Sequence, residues 1–230
     1  MEMLDVHPPH KAIEGVGEFF LHLFTISIGL LIAVGIEAAV ERHQHRELAS
    51  EARNTMTAEI RKNDKDVADA LKDIDQEQQK VKRNLAEIRK VQLNPKDPAS
   101  RNPSLDISFN TTGLEDTGWR TAQATGALAF MPYAESEKYS SIYLEEETFL
   151  KNQDQLAEDE ARFLGVIQKF HVGEGTVTKD AADAIAEQLG IWQGHLLILK
   201  ITARVLQEQQ SAFLEGREPQ HNLSEKLTGR

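Results

Sequence analysis

Between Pro9 and Pro95 the chain contains no proline, and the only glycines in that interval, Gly15, Gly17, Gly29 and Gly35, precede Val40. Proline is the residue a helix interior tolerates least. The interval therefore predicts one helix running without a break to about Leu93. It opens on Phe19 to Val40, FFLHLFTISIGLLIAVGIEAAV, where Glu37 is the only Asp, Glu, Lys or Arg. At about 1.5 Å per residue, roughly 22 residues rise about 33 Å, enough to cross a hydrocarbon layer of about 30 Å. The expectation is a tail at 1–18, a transmembrane helix at 19–40 and a juxtamembrane helical stalk at 41–56. Two rivals are a cleaved signal peptide and a buried soluble helix. The first calls for a basic leader and a shorter apolar core. Here Glu2, Asp5, Glu14 and Glu18 oppose Lys11, although Ala33-Val34-Gly35 would pass as a cleavage site. The second is disfavoured by length.

Lys11 precedes the span, and Arg42, Arg46 and Arg53 follow it. The positive-inside rule then slightly favours a cytoplasmic position for the C-terminal side over a periplasmic one. Within the span, His22, Thr25, Gly29, Ala33 and Glu37 recur at steps of three and four and share a helix face. Small residues four apart let another helix approach closely, and polar groups in lipid tend to seek protein partners. These five form a candidate transmembrane interface, for a protein partner or for self-association. The alternative is that the small residues are incidental and that His22 and Glu37 snorkel to the headgroups.

Beyond the span the apolar period is helical throughout. Val67, Leu71, Ile74, Gln78, Val81, Leu85 and Ile88 alternate steps of four and three, a coiled-coil seam. Pro95, Pro98 and Pro103 then interrupt, and 94–114 reads as a loop. Within it Leu105, Ile107 and Phe109 alternate with polar residues, as in a short strand or a loop pinned against a core, the loop being favoured because no second strand signal accompanies it. A short helix is expected at Glu115 to Met131, with Trp119, Ala122 and Gly126 spaced for close packing. A third helix is expected at Ala134 to Val172, with a seam of Phe149, Gln153, Leu156, Glu160, Phe163, Ile167 and Phe170. After a turn at Gly173-Glu174-Gly175, Thr178 is a plausible N-cap for a last helix ending near Glu215. The seam there is Ile185, Leu189, Trp192, Leu196, Leu199, Ala203, Leu206, Gln210 and Phe213. Leu197, Ile198, Ile201 and Val205 widen the apolar face, which would make this helix the most buried. The expected fold is all-α: one N-terminal transmembrane helix continuing into a long-helix antiparallel bundle at 57–215, built from three long helices and one short one, with a loose tail at 216–230.

The 230 residues include no cysteine, which rules out thiolate zinc sites, disulfides and a cysteine nucleophile. With 26 Lys and Arg against 37 Asp and Glu, the net charge of −11 argues against nucleic acid as a partner. His43 and His45 lie two apart on a helix and cannot hold one ion. His171 and His195 read as satisfied bundle residues. Glu145, Glu146 and Glu147, with Asp154, Glu158, Asp159 and Glu160, read as a solvated acidic face, since no Glu-x-x-His motif accompanies them. Trp119, Phe130, Tyr133, Tyr139 and Tyr143 would cap the bundle as an aromatic mini-core or line a small pocket. No catalytic constellation, metal site or cofactor motif emerges.

Gly17-Glu18, Ile28-Gly29-Leu30-Leu31-Ile32-Ala33, Glu41-Arg42 and Glu59-x-x-x-Asn63 resemble the N-terminus of uncharacterised bacterial single-span membrane proteins. His7-Pro8-Pro9, Trp119-Arg120-x-Ala122, Gly126-Ala127-Leu128 and Met131-Pro132-Tyr133 are similar to acidobacterial-type members. The resemblance covers about the first 65 residues and one central stretch. It implies a bacterial inner-membrane protein and assigns no activity. The functional expectation is a membrane-anchored interaction, scaffold or accessory protein. Its rival is a sensory bundle that binds a ligand and signals through a partner, and an enzyme is not expected.

Overall fold

The computed structural model describes residues 15–97, 102–106 and 110–220. Among them every regular element is helical: α1 (Val16–Leu93), α2 (Thr117–Thr125), a single 3-10 turn at Ala127–Phe130, α3 (Tyr133–Lys169) and α4 (Lys179–Glu215). The tail expected at 1–18 lies mostly outside the described residues, and Val16 to Glu18 already belong to α1. The chain divides into two compact units, one ending at Ser50 and one beginning at Glu51.

In the first unit α1 is exposed at every residue from Val16 to Val40. This stretch is long and apolar enough to cross a membrane. Its hydroxyls are spent on its own backbone: Thr25 Oγ1 donates to the Leu21 carbonyl and Ser27 Oγ to that of Leu23. A helix that satisfies its own polar groups is suited to lipid.

In the second unit α1, α3 and α4 share one core, in which Val67, Ile88, Phe149, Phe163, Trp192 and Leu199 are buried. Side-chain bonds give the helix directions. Arg53 meets Glu135, Thr57 meets Tyr139 and Asn63 meets Glu146, so α1 and α3 run parallel. Asp64 meets Ser211 and Gln92 meets Asp183, so α4 is antiparallel to α1. Asn152 with Thr202 and Asp159 with His195 make α4 antiparallel to α3 as well. The sequence suggested a chain reversed at every connection. Instead the connecting segment after α1 climbs back along the helices, so that α3 starts where the unit's portion of α1 starts.

The seam of α1 is shifted from the expected one. Met56, Ile60, Asn63, Val67, Ala70, Ile74, Glu77, Val81, Asn84 and Ile88 are all buried, whereas Leu71 and Leu85 are only partly so. Val67, Ile74, Val81 and Ile88 are common to both phases. At Asn63 and Asn84 the seam is polar because the returning segment brings backbone N–H and C=O groups there, while Glu77 pairs with Lys80 of the same helix. Met56, expected in the stalk, is fully buried in this core.

The short helix ends sooner than expected because Gly126, at φ 72°, takes a left-handed cap whose N–H bonds back to Gln123. Close approach falls at Gly118, where a Cβ would lie 2.7 Å from Thr55 Cγ2 and 2.8 Å from Glu59 Oε2. The α3–α4 turn begins at Phe170 and passes through His171, at φ 50°, and Gly173, at φ 99°. Thr178 caps α4 as expected, its Oγ1 accepting from the Ala181 N–H at 3.2 Å.

Two expectations about burial fail. Leu197 and Ile198 are 52% and 50% exposed, because α4 already fills the core with the opposite side of the helix. The tail from Gly216 is held as far as Gln220: Arg217 pairs with Glu208, Lys138 with Glu218, and the Gln220 N–H donates to Glu208. Positions 221–230, and Ile107 and Phe109 of the pinned-loop expectation, lie outside the described residues.

Candidate functional site

The polar groups of the second unit converge where α1, α2, α3 and α4 meet. Glu59 and Asn63 are one turn apart on α1 and project from one face. Tyr143 and Glu146 do the same on α3. Glu59 Oε1 accepts from the Gly118 N–H at 2.6 Å, and its Oε2 accepts from the Tyr143 hydroxyl at 2.9 Å. Asn63 Nδ2 donates to Glu146 Oε1 at 3.0 Å, and Gln210 Nε2 donates to the same oxygen at 2.8 Å. Trp119 stacks on Tyr143 with ring centroids 4.9 Å apart. Tyr139 packs against Phe213. Of the expected aromatic cluster, Trp119, Tyr139 and Tyr143 thus cap the core, while Phe130 and Tyr133 are 41% and 83% exposed.

Two carboxyls in this cluster are out of solvent, Glu59 at 7% and Glu146 at 3% exposure. Burial pushes the Glu146 carboxyl up to about 7, against the two amide donors that favour its charged form; the negative charges of Glu59 and Asp116 reinforce the rise. Glu146 Oε2 and Gln210 Oε1 are buried without a hydrogen-bond partner. Burial, with Glu59 beside it, also raises the Tyr143 phenol well above its ordinary range. A carboxyl poised near neutrality can hold or release a proton at that oxygen.

Three carboxamides fasten the connecting segment along the same core. Each offers its C=O and NH2 to the N–H and C=O of one backbone residue, as a peptide group would. Asn84 clips Asp106 at 2.7 and 3.1 Å. Gln153 clips Thr112 at 2.8 and 3.0 Å. Asn63 clips Glu115 at 2.8 and 2.9 Å.

Elsewhere the expected residues behave individually. His195 Nδ1 lies 2.5 Å from Asp159 Oδ2, and Asp159 is buried. With Glu146, it removes two members from the expected solvated acidic face. His171 sits in an exposed turn beside Glu174 rather than inside the bundle. His43 and His45 face Glu47 and Glu41 respectively. His22, Thr25, Gly29, Ala33 and Glu37 are all exposed on α1, and no atom lies within 4 Å of a Cβ placed on Gly29. The chain brings none of these five against another element. A surface groove of about 520 Å³ lies between the start of α3 and the end of α4, lined by Ser141, Ile142, Val205 and Phe213. Four of the charged side chains beside it form two pairs, Lys138 with Glu218 and Arg217 with Glu208.

The converging cluster was legible only in part. Glu59 and Asn63 entered through the resemblance, and Gln153 and Gln210 through their seams. Glu146 was hidden in a Glu triplet, although its steps of three and seven to Phe149 and Gln153 put it in phase with the core. Comparison of the chain with protein-family models, with curated proteins and with solved structures finds no match.

Proposed function

We propose that this chain is a single-span membrane-anchored protein whose helical domain, a bundle with α4 antiparallel to α1 and α3, serves as an interaction or scaffold module. The observation that carries the reading is the exposure of Phe19, Phe20, Leu21, Phe24, Leu30, Leu31 and their apolar neighbours on α1. Leaving such a side chain in water rather than burying it forgoes roughly 1.5–3 kcal/mol. A dozen of them together exceed the roughly 5–15 kcal/mol that stabilises a typical domain. Lipid covers a helix of this length on all sides. The domain's buried polar groups are largely spent on one another, which supports an interaction role over catalysis. The resemblance of the N-terminal segments to bacterial single-span proteins supports the inner membrane, and Arg42, Arg46 and Arg53 support a cytoplasmic domain. Intact full-length protein is expected to sediment with membranes and to resist carbonate extraction. Its recovery, uncleaved, in the soluble fraction would overturn the anchor.

A second reading, a sensory module, is favoured by one observation: Glu146 is a buried carboxyl poised near neutrality at a junction of four helices. Protonation there would be the signal, and a partner would carry the output.

A further inference from the structure

The outer side of α4 carries a second seam, opposite the one that fills the core. Glu187, Gly190, Gly194, Leu197, Ile201 and Arg204 recur at steps of three and four. Leu197 is 52% exposed and Ile201 half-buried, with Ile191 and Ile198, at 39% and 50%, flanking Leu197 on the α3 side. Gly190 and Gly194 are holes in this surface, with no atom within 4 Å of an added Cβ at either. An apolar helix face left bare in this way marks an interaction surface.

The order of residues along the face says what fits it. Small residues occupy the first half and large ones the second. Gly194 and Leu197 are equidistant from the point between His195 and Leu196, and so are Gly190 and Ile201, and Glu187 and Arg204. A two-fold axis through that point lays an identical helix antiparallel across the first. Each Leu197 then falls on the partner's Gly194, each Ile201 on its Gly190, and each Glu187 opposite an Arg204. Among the described residues neither Glu187 nor Arg204 has an ion-pair partner in its own chain. The neighbouring charges Lys200 and Glu208 are engaged with Asp75 and Arg217. Complementarity of both size and charge to its own reverse is what an isologous interface requires.

We propose that the outer face of α4 binds the same face of a second copy of this chain, antiparallel, with Glu187 and Arg204 pairing across the two-fold axis. The inference deepens the interaction reading and rests on it, naming a second copy as the partner. The paired seam is only about 25 Å long, so the contact is of the small, transient class; α1 is antiparallel to α4 in each copy, so the pair forms between copies that are not held side by side in one bilayer.

The cysteine-free sequence permits a register test on full-length protein in detergent micelles, which leave two copies free to run in opposite directions. Glu187→Cys and Arg204→Cys proteins are mixed and treated with a short bismaleimide. The mixture is expected to give a crosslinked dimer at least tenfold more abundant than either variant alone, because like positions lie about 25 Å apart in the antiparallel pair. Glu187→Arg and Arg204→Glu should each lower the dimer fraction severalfold, and the double variant should restore it. Crosslinking of Glu187→Cys with itself as efficiently as in the mixture would overturn the antiparallel register. So would an unreactive mixture, or crosslinks only to a different protein in native membranes. In the last case the broader interaction reading would stand while self-pairing fell. A domain that captured neither itself nor another protein would remove both.

Discussion

Glu146 is held by two amide donors on one oxygen and by none on the other, in a place water does not reach. The groups around it are Glu59 and Asn63 from α1, Asp116 ahead of α2, Tyr143 on its own helix and Gln210 from α4. None is a cation, so only the two amide donors offset the cost of charging it, and burial outweighs them. Its folded value, about 7, lies above the ordinary 4.5. The folded state therefore binds this proton more tightly than the unfolded one. The resulting stability is fully present below about pH 4.5 and is lost as the pH rises toward 7, by roughly 3 kcal/mol. Glu146→Gln keeps the shape and removes the titration. Denaturant midpoints of the two proteins should converge at low pH and separate between pH 5 and 7, with the parent falling further. Parallel profiles would show that Glu146 does not titrate in that window.

At the scale of the element, α1 shows why its helical extent was readable and its phase was not. The absence of proline and the apolar period sufficed to place its end at Leu93. The seam, however, admits Asn63, Glu77 and Asn84, which a hydrophobic period skips in favour of Leu71, Gln78 and Leu85. Asn63 and Asn84 make sense only once the returning segment is known to supply partners; Glu77 is met by Lys80 one turn on. Their cost is set by those partners: a buried polar group left unpaired loses about 1–3 kcal/mol, whereas a paired one is close to neutral. Asn84→Ala strips the clip from both the N–H and the C=O of Asp106. Hydrogen exchange at the Asp106 amide is expected to accelerate at least tenfold while the amides of the α4 core stay protected. Unchanged exchange at Asp106 would mean that the clip does not hold the segment.

For the molecule as a whole, the sequence resolved the helical class, the four helices, most of the α4 seam and the middle of the α3 seam, where Asp159 rather than the expected Glu160 is buried. It did not resolve the parallel pairing of α1 with α3. Prolines mark where a helix stops, but they are silent on the direction the chain then takes. The deciding contacts join residues some 80 positions apart, such as Thr57 and Tyr139. The bare outer side of α4 was likewise invisible, since apolar residues on both sides of a helix look alike until one side has been used. The three clips also have a consequence for the length of the connection. Asn63 meets Glu146 across the parallel pair, and Gln153, which holds Thr112, is seven residues further along α3 as Ala70 is along α1, so the clips at Thr112 and Glu115 lie about level with positions 70 and 63 of α1. Seven helical residues rise about 10.5 Å, and three extended residues reach about 10–11 Å. The segment there has no slack, so it works as a ruler laid against the helices. Surface loops usually tolerate insertion and deletion, but this one should not. Deleting Gly113 should undo a clip and lower the melting temperature by several degrees, whereas a glycine inserted beside Lys96 should leave it within about a degree. Length, rather than side-chain identity, is what this stretch of the chain has to conserve to keep its two ends in step.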